Sequence, residues 1–244
     1  MNLLMLSKPV LVCSVLFTGL AAQIQERPFW MGVPSWAKVP VDAAPEPATP
    51  QEKAVRDMRA AAFNDTTGYA VKLEEQWRSH MGVGISGEPG PTAVLPTHKS
   101  DAIMVGTVTH AQPYMSADHT RIFTELKLSV QQVLKDATST LTPEGTADVV
   151  ERGGTLRVDG HVLRYPITGY AGHPDLNYQY VLFLRYDKAT RAFGILKSWL
   201  LTGETVIPND PVKPGNEIAA QAVAMGKTQF INFVQQAVAE DKDR

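Results

Sequence analysis

Apolar and polar residues alternate along the middle of the chain. Between Ile122 and Val130 one set of positions is mostly apolar and the other includes Glu125 and Lys127, which is the period of a half-buried β-strand. An apolar run precedes it, from Ala102 to Val108. Similar runs predict six further strands, at Ala147–Arg152, Leu156–Val158, Val162–Tyr165, Tyr178–Tyr186, Ala192–Ser198 and Thr205–Ile207.

Turn residues separate these strands. The segment from Pro113 to His119 is expected to connect the first two strands as an antiparallel pair, and Asp159-Gly160 is a tight hairpin signal. No helical pattern lies between the strands. The order of elements therefore predicts a mainly β fold, an antiparallel barrel or a sandwich.

Helical patterns flank the β region. Thr49 and Glu52 have the spacing of a capping box, with proline between them at the first helical position, so a helix is expected to start there and to end near Phe63. Apolar residues at i, i+4 and i+8 from Tyr69 predict a second short helix ending near His80. The two helices would form a hairpin packed on the main domain.

A closing helix is predicted after Asn216, a plausible N-cap. One face of it is apolar, at Ala219, Val223, Phe230, Val234 and Ala237. We expect this face to pack on the barrel over one of its openings, because a membrane-binding helix would need a strongly basic polar face.

The first 22 residues have the pattern of a cleavable export signal. Lys8 is followed by an uncharged stretch from Pro9 to Ala22, which is short for a membrane span and ends in small residues. Cleavage after Ala22 is expected, with a retained signal anchor as the alternative. The predicted organisation is a signal peptide (1–22), a Pro-rich extended arm (23–50), two short helices and a Gly/Pro-rich linker (51–100), the β-barrel domain (101–210) and the C-terminal helix (211–244).

Four segments follow one another between Asp101 and Ile207: DAIMVGTVT, TELKLSVQQVLK, VVERGG and YVLFLRYD. Through these segments the β region resembles exported bacterial domains of the netrin and tissue-inhibitor-of-metalloproteinases group, which are OB-like barrels. It implies an OB-like barrel. The metalloproteinase inhibitors of this group act through an N-terminal cysteine, whereas Cys13, the single cysteine of the chain, lies in the segment expected to be removed.

Charge and composition narrow the classes of molecule that the chain is expected to bind. The chain has 23 basic and 25 acidic side chains, a net charge of −2, without a basic stripe, so binding to nucleic acid is not expected. After signal cleavage no stable membrane insertion is expected, and no cofactor is predicted. Another protein is the expected partner. Export predicts a secreted or periplasmic location.

Six residues are candidates for a ligand-binding surface. Trp30 and Trp36 are the two tryptophans of the arm. The other four are Arg152, Gly153, Gly154 and Arg157, whose paired glycines would let the backbone approach a ligand closely. A structural explanation competes in both places, because tryptophans also pin loops onto a domain and paired glycines also form bulges or tight corners.

His110 and His119 are the candidate metal ligands. The turn predicted between them would bring the two imidazoles together, although no paired H-x-H or H-E-x-x-H spacing is present. No catalytic residue is assigned. These observations favour an exported, non-enzymatic binding or protein-interaction module. The alternatives are a metal-dependent hydrolase that uses His110 and His119, and a structural subunit of an envelope assembly.

Overall fold

The computed structural model of the chain describes residues 34–68, 70, 72–73, 95–165, 173–209 and 217–242. The second predicted helix and most of the Gly/Pro-rich linker lie outside these residues. The elements within them are α1 (Ser35–Lys38), β1 (Val41–Asp42), α2 (Pro50–Ala62), β2 (Ala102–Met115), β3 (Ile122–Asp136), β4 (Thr146–Arg152), β5 (Gly154–Val158), β6 (His161–Tyr165), β7 (Gln179–Asp187), β8 (Ala192–Thr202), β9 (Thr205–Pro208), α3 (Glu217–Ala224) and α4 (Lys227–Lys242).

The fold is mainly β, and a strand is present at each of the eight predicted positions. Six strands form an antiparallel sheet in the order β4-β3-β2-β7-β8-β9. A parallel bridge between Val149 and Phe193 also connects β4 to β8. A smaller sheet has the order β1-β5-β6. Its β5–β6 hairpin turns at Asp159-Gly160, where both residues have positive φ, as the sequence predicts.

The strands of the large sheet contribute side chains to two cores. In β2, Ala102 and Met104 belong to a first core that includes residues of β3, β4, β7 and β8. The alternate residues Ile103 and Val105 belong to a second core on the opposite face. This alternation is the reason why the hydrophobic pattern of these strands predicted them well.

The C-terminal helices cover the second core. Phe230 and Val234 of α4 are fully buried there, and the Phe230 ring lies 5.0 Å from the ring of Trp199 on β8. Two corrections to the sequence prediction follow. The chain forms two helices instead of one, because Gly226 bridges to Thr205 between them. They also pack across a face of the sheet, where the apolar side chains are, and not over an opening.

The described part of the arm is packed against the domain. Trp36 is 3% exposed within the first core, and its Nε1 donates to the carbonyl oxygen of Pro174 at 2.9 Å. The Thr155 hydroxyl donates to the Ala37 carbonyl, and β1 pairs in parallel with β5. The arm thus forms one helical turn and a two-residue strand where only extended chain was expected.

Helix α2 begins as its sequence predicts. The Glu52 N–H donates to the Thr49 hydroxyl at 3.2 Å, and the Thr49 N–H donates to the Glu52 carboxylate at 3.1 Å, so the capping box is complete. The helix ends before Phe63. Its position on the sheet creates the candidate site.

Candidate functional site

Helix α2 is attached to the large sheet by a buried arginine. Arg59 is 4% exposed, and its guanidinium lies 2.9 Å from the Glu125 carboxylate of β3 and 3.0 Å from the Asp148 carboxylate of β4. It also donates to the carbonyl of Thr190 in the β7–β8 turn at 3.0 Å. Burial acts to lower the pKa of Arg59, but the two carboxylates outweigh it and raise that pKa.

Aromatic side chains pack beside this charged contact. The Phe63 ring stacks on the Phe123 ring of β3, with centroids 4.8 Å apart, and the Tyr114 ring of β2 stacks with Phe123 at a centroid distance of 5.6 Å. Phe123 is fully buried beneath the helix. Helix α2 therefore rests on β2, β3 and β4 through one satisfied charge and a small aromatic cluster.

The end of α2 is joined to the β2–β3 loop by two carboxylates. The Asp118 carboxylate accepts from the Asp65 N–H at 2.7 Å, and the Asp65 carboxylate accepts from the Arg121 guanidinium at 2.7 Å. The Ala117 N–H donates to the Ala60 carbonyl at 3.1 Å. Hydrogen bonds from the Ala70 N–H and from Thr67 hold the pKa of Asp65 well below its usual range.

The Asp118 carboxyl gives this junction a predictable response to acid. Burial would raise its pKa, but hydrogen bonds from the Ser116 hydroxyl, the Asp65 N–H and Thr120 lower it to about 2. Because the pKa is lower in the folded chain than in the unfolded one, the stabilisation is present above pH 4 and is lost as the pH falls towards 2.

We expect Asp118→Asn to lower the free energy of unfolding by about 1–2 kcal/mol at pH 6, since hydrogen bonds to a charged acceptor are lost. The difference from the original chain should shrink as the pH falls from 4 to 2. Urea unfolding at several pH values measures both effects. A difference that stays constant down to pH 2 would contradict the role assigned to the ionised carboxylate.

A pocket of about 310 Å³ lies between α2 and the β2–β3 loop. It is open to solvent on one side. Its walls combine charged, aromatic and apolar groups, from Arg56, Asp57, Ala60, Tyr114, Met115, Ser116, Ala117 and His119. We call this feature the loop pocket. Its volume is at the lower end of the range in which proteins hold small ligands.

Arg56 is the dominant charge of the loop pocket. Its guanidinium carbon lies 4.9 Å from the centre of the Tyr114 ring, and its Nη1 donates to the Pro45 carbonyl at 2.9 Å. Burial raises the pKa of Tyr114, so this ring remains a neutral phenol beside the guanidinium. Asp57, the acidic residue of the wall, is paired with Lys53 at 2.8 Å. No carboxylate pairs with Arg56 within the described residues.

In comparisons with known proteins, no family model and no curated protein matches this chain.

Of the predicted site residues that the structure describes, only His119 lines the loop pocket. His119 is exposed in the β2–β3 loop, with φ of +60°. His110 is exposed on β2, opposite Lys127, and β2 continues for five residues beyond it to Met115. Those residues span about 17 Å of extended chain, so the structure does not bring the two histidines together. In the described ranges no group of three or more His, Cys, Asp or Glu is placed to hold a metal ion.

The paired glycines form a tight corner between β4 and β5. Gly154 has φ of +143°, and a Cβ on it would lie 2.5 Å from the Thr124 hydroxyl oxygen. The Thr124 hydroxyl donates to the Gly153 carbonyl at 2.6 Å. Close packing on β3 accounts for Gly154, and a φ of +109° accounts for a glycine at position 153. Arg152 is exposed at the end of β4, across from Phe123.

Two of the remaining candidates, Arg157 and Trp36, attach the N-terminal arm to the domain. Arg157 forms an exposed ion pair with Asp42 of β1 at 2.9 Å, and Trp36 is buried in the first core. Trp30 lies outside the described residues.

No helix in the described parts of the chain has both the length and the apolar character needed to cross a membrane.

A second polar cluster lies beneath Trp36. The side chains of Glu151 and His173 are almost wholly buried, with 3.3 Å between the Glu151 Oε2 and the His173 Nδ1. The other Glu151 oxygen accepts from the Ile195 N–H at 2.8 Å. Both nitrogens of His173 lack a hydrogen-bond partner among the described atoms. Sequence reasoning missed this pair and Arg56, because their partners are distant in the chain.

Proposed function

We propose that this chain is an exported, non-enzymatic binding module built on an OB-like barrel. Five strands, β4-β3-β2-β7-β8, are successive antiparallel neighbours, and the Val149 to Phe193 bridge returns β8 to β4 in parallel. A ring of five strands with this connectivity supports an OB-like barrel, as does the resemblance to netrin-like domains. The N-terminal signal pattern supports a secreted or periplasmic location.

The loop pocket is the observation that carries this proposal. OB-like barrels take ligands on the face of their second and third strands and at the loops that join strands one to two and four to five. In this chain those positions correspond to β3, β4, the β2–β3 loop and the β7–β8 turn. The loop pocket lies at one of these positions, the β2–β3 loop, and the rest of its wall comes from α2 and the end of β2.

Protein-observed NMR tests the proposal. A library of small polar molecules is titrated into the full mature chain, and we expect binders to shift the amide signals of Met115, Ala117 and His119. The matched control is the corner at Gly203, on the β8–β9 turn, whose signals should not move. Binders that cluster only outside the loop pocket would contradict the site.

Catalysis is tested separately. We expect the purified chain to show no turnover in a panel of ester, peptide, phosphate and glycoside substrates. Robust turnover that His119→Ala or His110→Ala abolishes would overturn the non-enzymatic assignment and favour the hydrolase alternative.

A further inference from the structure

We propose that the loop pocket binds a small monocarboxylate with a short apolar tail, and that the Arg56 guanidinium binds its carboxylate. This inference rests on the proposed function of the loop pocket as a binding site. It goes further by naming the chemical class of the ligand and the residue that selects it.

Two arginines one turn apart on α2 have different surroundings. Arg59 is saturated, with two carboxylates and a carbonyl around its guanidinium. Arg56 faces the loop pocket without a carboxylate partner in the described part of the chain. Asp57 does not supply one, since Lys53 holds its carboxylate. An arginine left unpaired in a concave site is the usual means of binding a carboxylate or phosphate.

The Arg56 guanidinium already has contacts before a ligand binds. Its carbon lies 4.9 Å from the centre of the Tyr114 ring, and its Nη1 donates to the Pro45 carbonyl at 2.9 Å. A guanidinium carries five N–H donors, so donors remain for a bidentate contact with an oxyanion. Because the side chain is held before binding, the loss of rotamer freedom on binding is small.

The charge of the lining distinguishes between anions. Among the described lining residues Arg56 is the one side chain with a permanent positive charge, so a second negative charge on the ligand would have no cation of its own there. Ala60, Met115 and Ala117 give part of the remaining wall an apolar surface, beside the polar Ser116 and His119. A single carboxylate with a few methylene groups matches both parts of the lining, and the small volume excludes polymers.

The experiment uses the full mature chain and four probes: butyrate, its neutral isostere butyramide, the dianion succinate, and inorganic phosphate. Binding is followed by NMR shifts of the loop-pocket amides. We expect butyrate to bind, butyramide to bind at least about tenfold more weakly because it lacks the charge, and succinate and phosphate to bind more weakly than butyrate.

Three variants test whether Arg56 is responsible for butyrate binding. Arg56→Gln should weaken butyrate binding about tenfold or more, and Arg56→Lys should weaken it less, because charge is kept while the planar fork is lost. Arg185→Gln, at an exposed arginine of β7 away from the loop pocket, is the matched control and should leave binding unchanged. Circular dichroism melts of all three variants establish that each is folded.

The outcomes separate this inference from the proposed function. Equal binding of butyrate and butyramide, or butyrate binding that Arg56→Gln leaves intact, overturns the carboxylate assignment while the loop pocket stands as a binding site. Tighter binding of phosphate or succinate than of butyrate overturns the selection for a single charge. If none of the four probes shifts these amides but other polar molecules do, the ligand class is wrong. If no molecule shifts them, both proposals fail.

Discussion

Replacing Arg59 with methionine should lower the free energy of unfolding by about 3–5 kcal/mol. The change keeps an unbranched side chain of similar length but leaves the Glu125 carboxylate without its cation in a largely buried site. Removing one partner of a buried ion pair is strongly destabilising, because the other charge stays desolvated. Native domains are stable by only about 5–15 kcal/mol, so this single change should remove a large part of the stability. Urea unfolding monitored by circular dichroism measures it.

Lys53→Met is the matched control for this prediction. Lys53 lies on the same helix and also forms an ion pair, with Asp57, but both side chains are about 60% exposed. Exposed pairs contribute about 0–1 kcal/mol, so this variant should unfold nearly as the original chain does. In Arg59→Met/Glu125→Leu both members of the pair are apolar, and part of the loss should be recovered. Equal losses for Arg59→Met and Lys53→Met would refute the anchoring role of Arg59.

Trp36→Ala should also cost about 3–5 kcal/mol. The side chain fills part of the first core and leaves a large cavity when it is truncated. Its Nε1 donor to Pro174 is lost as well. Because Trp36 fixes the arm, we expect the β1–β5 pairing to loosen at the same time. Urea unfolding gives the change in stability, and hydrogen exchange at Ala43, whose N–H donates to Arg157 in the native chain, reports on the arm.

Two further variants are compared with Trp36→Ala. Trp36→Phe keeps an aromatic ring but loses the hydrogen bond, so a smaller loss, of about 1–2 kcal/mol, is expected. Val39→Ala changes an exposed residue of the same arm, 58% exposed, and should stay within about 0.5 kcal/mol of the original chain. If Trp36→Ala behaves like Val39→Ala, the arm contributes nothing to stability and the interpretation of Trp36 as its anchor is wrong.

Much of the fold could be predicted because its signals are local. Strands β2 and β3 alternate between two apolar environments with a period of two residues, and the Thr49–Glu52 capping box involves residues three apart. Both signals depend on neighbours in sequence, so they survive without any knowledge of the tertiary structure. The same holds for the Asp159-Gly160 turn, whose backbone conformation is favoured by the residues themselves.

Strand lengths and helix packing were less predictable. Strand β2 continues to Met115, through Pro113 and beyond the apolar run that marks its start, because pairing with β3 supplies the hydrogen bonds. This extension separates His110 from His119, which a shorter strand would have placed nearer to each other. Phe230 and Val234 of the predicted C-terminal apolar face are buried, whereas Val223 is 50% exposed. The partner surface of this face was not predicted, because one apolar stripe fits a sheet face or a barrel end equally well.

The candidate site depends almost wholly on distant contacts. Arg56 meets Tyr114, and Arg59 meets Glu125, Asp148 and the Thr190 carbonyl, across separations that reach 131 residues. Two arginines on one helix have the same chemistry in the sequence. Only their surroundings distinguish Arg59, which has two carboxylate partners, from Arg56, which has none among the residues that the structure describes.

The sequence by itself determined the mainly β fold, the start of α2 and the position of each strand of the large sheet, because these follow from alternation and turn chemistry within a few residues. Only the tertiary structure decided that Trp36 belongs to a core, that Gly154 packs against Thr124, and that Arg56 lines a pocket with no carboxylate partner among the described residues. The physical reason is that burial and charge pairing are properties of the space around a side chain, and that space is built by parts of the chain far away in sequence.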